Sequence, residues 1–174
     1  TIGGQIVGGV SVVSGAAPSN PKVGERQARL AEFQLTASST EDIQIYRLGF
    51  TEGGSIANSY LSNFTLKQGG NTIATAAAIG DRDLLTFQFA TPFLLEKGQQ
   101  RTFQLFGDIS GATRSGDQVV FYVDSASDIN AIGKTYGYPV LPDNQVSTTA
   151  LGDTLTIAGG DVTITFNGPM AGDV

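Results

Sequence analysis

The chain has 174 residues with 40% hydrophobic side chains, enough to bury a core, so a disordered chain is excluded. Only 15% of residues are charged and the net charge is −6; no basic run is present, which removes the electrostatic basis for binding nucleic acid. Cys and His are both absent, which excludes disulfides, thiol chemistry and the usual zinc sites, and leaves no histidine base.

No stretch approaches the roughly 18 apolar residues that cross a bilayer, so no membrane insertion is expected. The chain starts at Thr1 and shows no signal peptide; processing or excision from a longer polypeptide would explain that start equally well. A surface of Gly, Ser and Thr carries little charge repulsion between copies. It suits an extracellular or cell-surface protein.

Strand signals recur about every ten residues, separated by Gly, Asn, Asp, Ser and Pro. ERQARLAEF (25–33) has helical propensity but runs without a break into the alternation of Phe33, Leu35 and Ala37. It therefore reads as a strand, with at most one helical turn at its start. IQIYRLGF alternates at Ile43 and Ile45 and then slips phase to Leu48 and Phe50, which predicts a bulge at Tyr46 or Arg47.

YLSNFTLKQGGNTIATA reads as a hairpin turning at Gly69-Gly70-Asn71, with Phe64 and Leu66 inward. DLLTFQFATPFLL sets Leu85, Phe87 and Phe89 inward and is expected to end at Pro92. RTFQLFGDIS points Phe103, Leu105 and Ile109 inward, and QVVFYVDS does the same with Val119, Phe121 and Val123. TLTIAGG and DVTITFNG close the chain with Leu155, Ile157, Val162, Ile164 and Phe166. No segment keeps a helical period for three turns. About ten short strands imply an all-β sandwich of Ig-like or jelly-roll type.

The two ends resemble each other: Thr1-Ile2-Gly3-Gly4-Gln5-Ile6 lines up with Thr156-Ile157-Ala158-Gly159-Gly160-Asp161-Val162, with one gap. This divides the chain into a sandwich domain (1–145) and a C-terminal strand extension (146–174), which starts the next repeat or donates a strand. A lone opening strand cannot satisfy its backbone groups without a sheet edge to join. The partner expected is thus another copy or the next module, and strand addition would build an open head-to-tail polymer. The junction residues are Ile2, Ile6, Val10 and Val12 at one end, and Leu155, Ile157, Val162, Ile164 and Phe166 at the other.

The phrases FQLTASSTEDIQIYRLGFTEGG, LSNFTLKQGGNTIA and LTFQFATPFLLEKGQQRTFQLFGDISG, in that order, resemble tandem β-sandwich modules of large surface proteins from uncultured small-genome bacteria. The likeness covers about Arg29 to Val123. It implies fold and surface location and carries over no active site.

The remaining constellations read as structural. Asp124-Ser125-Ala126-Ser127-Asp128 lacks the glycine and glutamate of an EF-hand loop and reads as a turn, as does Gly80-Asp81-Arg82-Asp83. Asp153 and Asp161 allow a structural Ca2+ without indicating one, so no cofactor is expected. The acidic residues sit mainly in turns beside Gly and Ser, which argues against a glycosidase pair and against an enzyme. Tyr136-Gly137-Tyr138-Pro139 is a candidate glycan or subunit contact, making a carbohydrate-binding or adhesin module the alternative function. Asn63-Phe64-Thr65 is a glycosylation sequon placed inside an expected strand. Lys22, Lys67, Lys97 and Lys134 could supply an isopeptide crosslink, with no spacing that identifies a partner.

Overall fold

The computed structural model describes residues 8–140 and 154–159. Its first sheet contains β1 (Val10–Ser14), β2 (Ala28–Ala37), β4 (Leu61–Gln68), β5 (Asn71–Ala76) and β7 (Gln100–Ile109), in the order β1-β2-β7-β4-β5. The second contains β3 (Ile43–Glu52), β6 (Leu84–Leu95), β10 (Ile129–Gly133) and β11 (Pro139–Val140), in the order β11-β10-β3-β6, with β9 (Phe121–Tyr122) also on β3. A two-stranded ribbon pairs β8 (Gln118–Val119) with β12 (Leu155–Thr156). The pairings are antiparallel, and the helical segments among the described residues are three 3-10 turns. The fold is an all-β sandwich. Among the described residues no helix is long and apolar enough to cross a membrane.

The alternating side chains build the core as expected. Phe33 stacks on Phe103 within the first sheet at 5.3 Å and crosses to Phe50 of the second at 5.1 Å; Phe50 meets Phe87 edge-on at 6.0 Å. These contacts lock the two sheets together beyond their area burial. Residues 28–37 form one strand despite their helical propensity, because alternate side chains meet β7 and the core. No helical turn opens β2. Its register slips between Arg29 and Ala31, so Leu30 and Ala31 are both buried.

The predicted bulge lies between Ile45 and Arg47 on β3. The expected end at Pro92 is corrected: β6 continues to Leu95. Ile45 pairs Phe93 and Arg47 pairs Gln88, so residues 89–92 loop out of the ladder opposite Tyr46. Pro92, lacking an N–H, sits where no ladder hydrogen bond is asked of it. The hairpin turns at Gly69 and Gly70, with φ of 59° and 83°, a pair that favours glycine at both places. QVVFYVDS is not one strand but two short pieces, β8 on β12 and β9 on β3.

Candidate functional site

Three groups of side chains stand out from the framework. The first lies where β3 begins. Glu41, 2% exposed, accepts from the backbone N–H of Gly8 at 2.7 Å through Oε2, and from those of Thr135 and Tyr136 at 2.9 and 3.0 Å through Oε1. A buried carboxylate is stable only with such donors. One side chain therefore ties the entry of β1 to the β10–β11 hairpin. A Cβ at Gly133 would run into this carboxylate and push it off its donors.

The hairpin so held presents Tyr136 and Tyr138, 53% and 51% exposed. Beside it the register aligns Leu94, Gln44, Ile132 and Pro139 in one row across four strands. Leu94 is 40% exposed. An aromatic hairpin and a mostly apolar row, broken by Gln44, thus share the end of the second sheet where β3 starts.

The second group lies at the other end, where β3 finishes. Residues 154–159 fill a slot between β8 and residues 20–23. Ile157 donates to the Asp117 carbonyl at 2.7 Å and accepts from Gly116 at 2.8 Å. Ala158 donates to Pro21 at 2.8 Å and accepts from Val23 at 3.0 Å, and the Thr156 N–H donates to Asn20 Oδ1 at 3.0 Å. Leu155 and Ile157 are each 1% exposed and belong to this chain's own core, as do Val10 and Val12 of β1 at 3%. None of these four junction candidates presents a free surface. Ile2, Ile6, Val162, Ile164 and Phe166 lie outside the described residues, as does the expected boundary after residue 145.

The third group is one that sequence reasoning missed. Glu52, 4% exposed, accepts through Oε1 from the N–H of Gly54 at 2.6 Å and of Val120 at 3.4 Å. It lines an open cleft of 360 Å³ with Asp83, Asn58 and Tyr122, and Asn58 donates to Asp83 at 2.6 Å. Burial holds the Glu52 carboxyl above its ordinary range, against the two N–H donors, with Asp83 adding a smaller push in the same direction. Among the described residues no three metal-ligating side chains converge there or elsewhere.

The sign for stability follows from linkage. The folded state binds the Glu52 proton more tightly than the unfolded chain does. Its contribution to stability therefore falls as pH rises from the unfolded value of 4.5 through the raised folded value, and is flat above it. Glu52→Gln keeps an oxygen for Gly54 and Val120 and removes the buried charge. Thermal melts at pH 7 should show the variant higher by roughly 2–5 °C, and the two curves should converge by pH 4.

Asn63 sits in a β4 bulge between Ser62 and Thr65 with φ of 52°. Its amide donates to Asp108 Oδ2 at 3.0 Å, while the Gln27 N–H donates to Oδ1 at 2.8 Å. The Asn63 amide, then the Gln27 N–H, hold the exposed Asp108 carboxyl below its usual range. The sequon asparagine thus helps to join β2, β4 and β7. The turn at Asp124–Asp128 is closed by the Ser125 N–H donating to Asp128 Oδ2 at 3.2 Å.

No protein-family model and no curated protein matches the chain. Among solved structures, it is similar to part of a family 123 glycoside hydrolase from Clostridium perfringens that acts in glycolipid glycan hydrolysis. The alignment covers 87% of this chain and 27% of the hydrolase, with 10% identity and a TM-score of 0.34. At that level the likeness says nothing about a site.

Proposed function

We propose that this chain is a non-enzymatic structural module of an extracellular filament, pilus or surface layer, related to the tandem β-sandwich modules of bacterial surface proteins and joined by strand addition between copies. The supporting observation is the placement of its first and last described segments. The entry of β1 lies beside Glu41 where β3 starts, and residues 154–159 lie beside β8 where β3 ends, about 33 Å away for ten strand residues. A module whose first and last described segments lie so far apart along the sandwich suits head-to-tail repetition. The slot that holds residues 154–159 would accept the same segment from a neighbour with the same hydrogen bonds, so exchange between copies sacrifices no contact.

The chain has no cysteine, which makes the test direct. Thr156 and Gln118 are register partners. Gln118→Cys and Thr156→Cys are made on separate copies, assembled together and oxidised. A disulfide-linked dimer of the two supports strand addition; a failure to crosslink, with a Gln118→Cys/Thr156→Cys double variant closing within one chain, contradicts it.

A second reading, a glycan-binding or adhesin module, is favoured by the exposed Tyr136 and Tyr138 on a rigid hairpin. Tyr136→Ser/Tyr138→Ser separates the two. Lost assembly with no glycan phenotype favours the subunit contact; lost glycan binding with assembly intact favours the adhesin.

A further inference from the structure

The outer face of the first sheet is mostly polar, and its large apolar side chains are Val13 at the β1 edge and Phe106 in the middle. Phe106, on the outward phase of β7, stands in register with Arg29 on β2 and Thr65 on β4. Lys67 Nζ lies 4.8 Å from the ring centroid, and the ring also lines a cleft of 530 Å³. Residues 19–25 form part of the wall of this cleft. Its size falls among ligand pockets of about 300–1,000 Å³.

The wall is held in place. The Lys22 N–H donates to Glu25 Oε1 at 3.1 Å, the Ile109 N–H donates to the Glu25 carbonyl at 2.8 Å, and the β12 segment is bonded to Asn20, Pro21 and Val23. Gln104 is fixed as well, because its Nε2 donates to Glu32 Oε2 at 2.9 Å, which leaves the amide oxygen as an acceptor. The guanidinium of Arg29, 3.7 Å from Glu32, supplies donors.

The lining thus offers an aromatic ring, a donor fork, an amide oxygen and a carboxylate. Around the cleft three cations (Lys22, Arg29 and Lys67) face two carboxylates (Glu25 and Glu32). Arg29 is paired with Glu32 and Lys67 lies on the Phe106 ring, so this mixed, nearly balanced set is not the cation cluster that selects a phosphate or a carboxylate. A ring with C–H faces and several hydroxyls, each able to donate and accept, matches this inventory. We propose that the cleft binds a neutral pyranose unit of a glycan. Phe106 stacks on the sugar face, and Arg29, Gln104 and Glu25 bond its hydroxyls. The proposal stands or falls separately from assembly.

The test is titration of the 15N-labelled chain with the methyl glycosides of glucose, galactose and mannose, and with methyl glucuronide. Amide shifts at Asn20, Arg29, Gln104 and Phe106 are expected with at least one neutral glycoside, with at least tenfold weaker binding in Phe106→Ala and in Arg29→Ala. Phe106→Leu keeps an apolar side chain without the aromatic face and should weaken binding in the same way if the alanine variant does not fold. Shifts confined to the Tyr136–Tyr138 hairpin, binding of the glucuronide alone, no shift with any glycoside, or unchanged affinity in both Phe106 variants would overturn the assignment.

Discussion

Leu155→Ala/Ile157→Ala is expected to lower unfolding stability by about 4–10 kcal/mol, from roughly 2–5 for each large-to-small change in a closed core. Both side chains are 1% exposed, and both lie on a segment held between β8 and residues 20–23. The loss is comparable to the whole stability of many single domains. Urea unfolding of the purified variant should show a midpoint near zero denaturant or an expanded native state. Val13→Ala, at a side chain 38% exposed on β1, is the control and should change stability by less than about 0.5 kcal/mol. A small effect in the double variant would mean that residues 154–159 do not complete this chain's own sandwich.

Glu41→Ala should cost about 2–4 kcal/mol, because it removes the acceptor of three N–H donors at once, that of Gly8 in a buried bond and those of Thr135 and Tyr136 in part-buried ones. Glu41→Gln keeps one acceptor oxygen and should lose less than half as much. Hydrogen exchange reads the cause directly: protection of the Thr135 and Tyr136 amides should collapse in Glu41→Ala while the amides of β7 stay protected. Uniform loss across the sheet would assign Glu41 a general role in the core and not the clamping of the tyrosine hairpin.

Most of the framework was legible because it follows local alternation. Phe33, Leu35 and Ala37, or Phe103, Leu105 and Ile109, declare their inward phase within a few residues, and Gly69-Gly70 declares its turn. The phase slip after Ile45 even located a bulge. Pro92 misled because a proline argues against a ladder, whereas here four residues leave the ladder around it and the strand resumes.

The polar groups were not legible, since their meaning depends on distant backbone. The donors to Glu41 come from positions 33, 94 and 95 residues away, and Glu52 gains a donor 68 residues along the chain. Nothing beside either residue marks it as buried. Phe106 is an intermediate case: an aromatic on the outward phase of a clean alternation was a visible signal, although only the register with Arg29 and the wall of residues 19–25 gives it a cleft. Tyr136 and Tyr138 were visible by composition alone, while the clamp that fixes them was not.

The central claim, assembly of copies head to tail, is tested most directly by electron microscopy of the purified chain at increasing concentration. Filaments or ordered arrays with an axial repeat close to the length of one sandwich, about 30–40 Å, are the expected result. Isolated particles of 18.1 kDa at every concentration would contradict it.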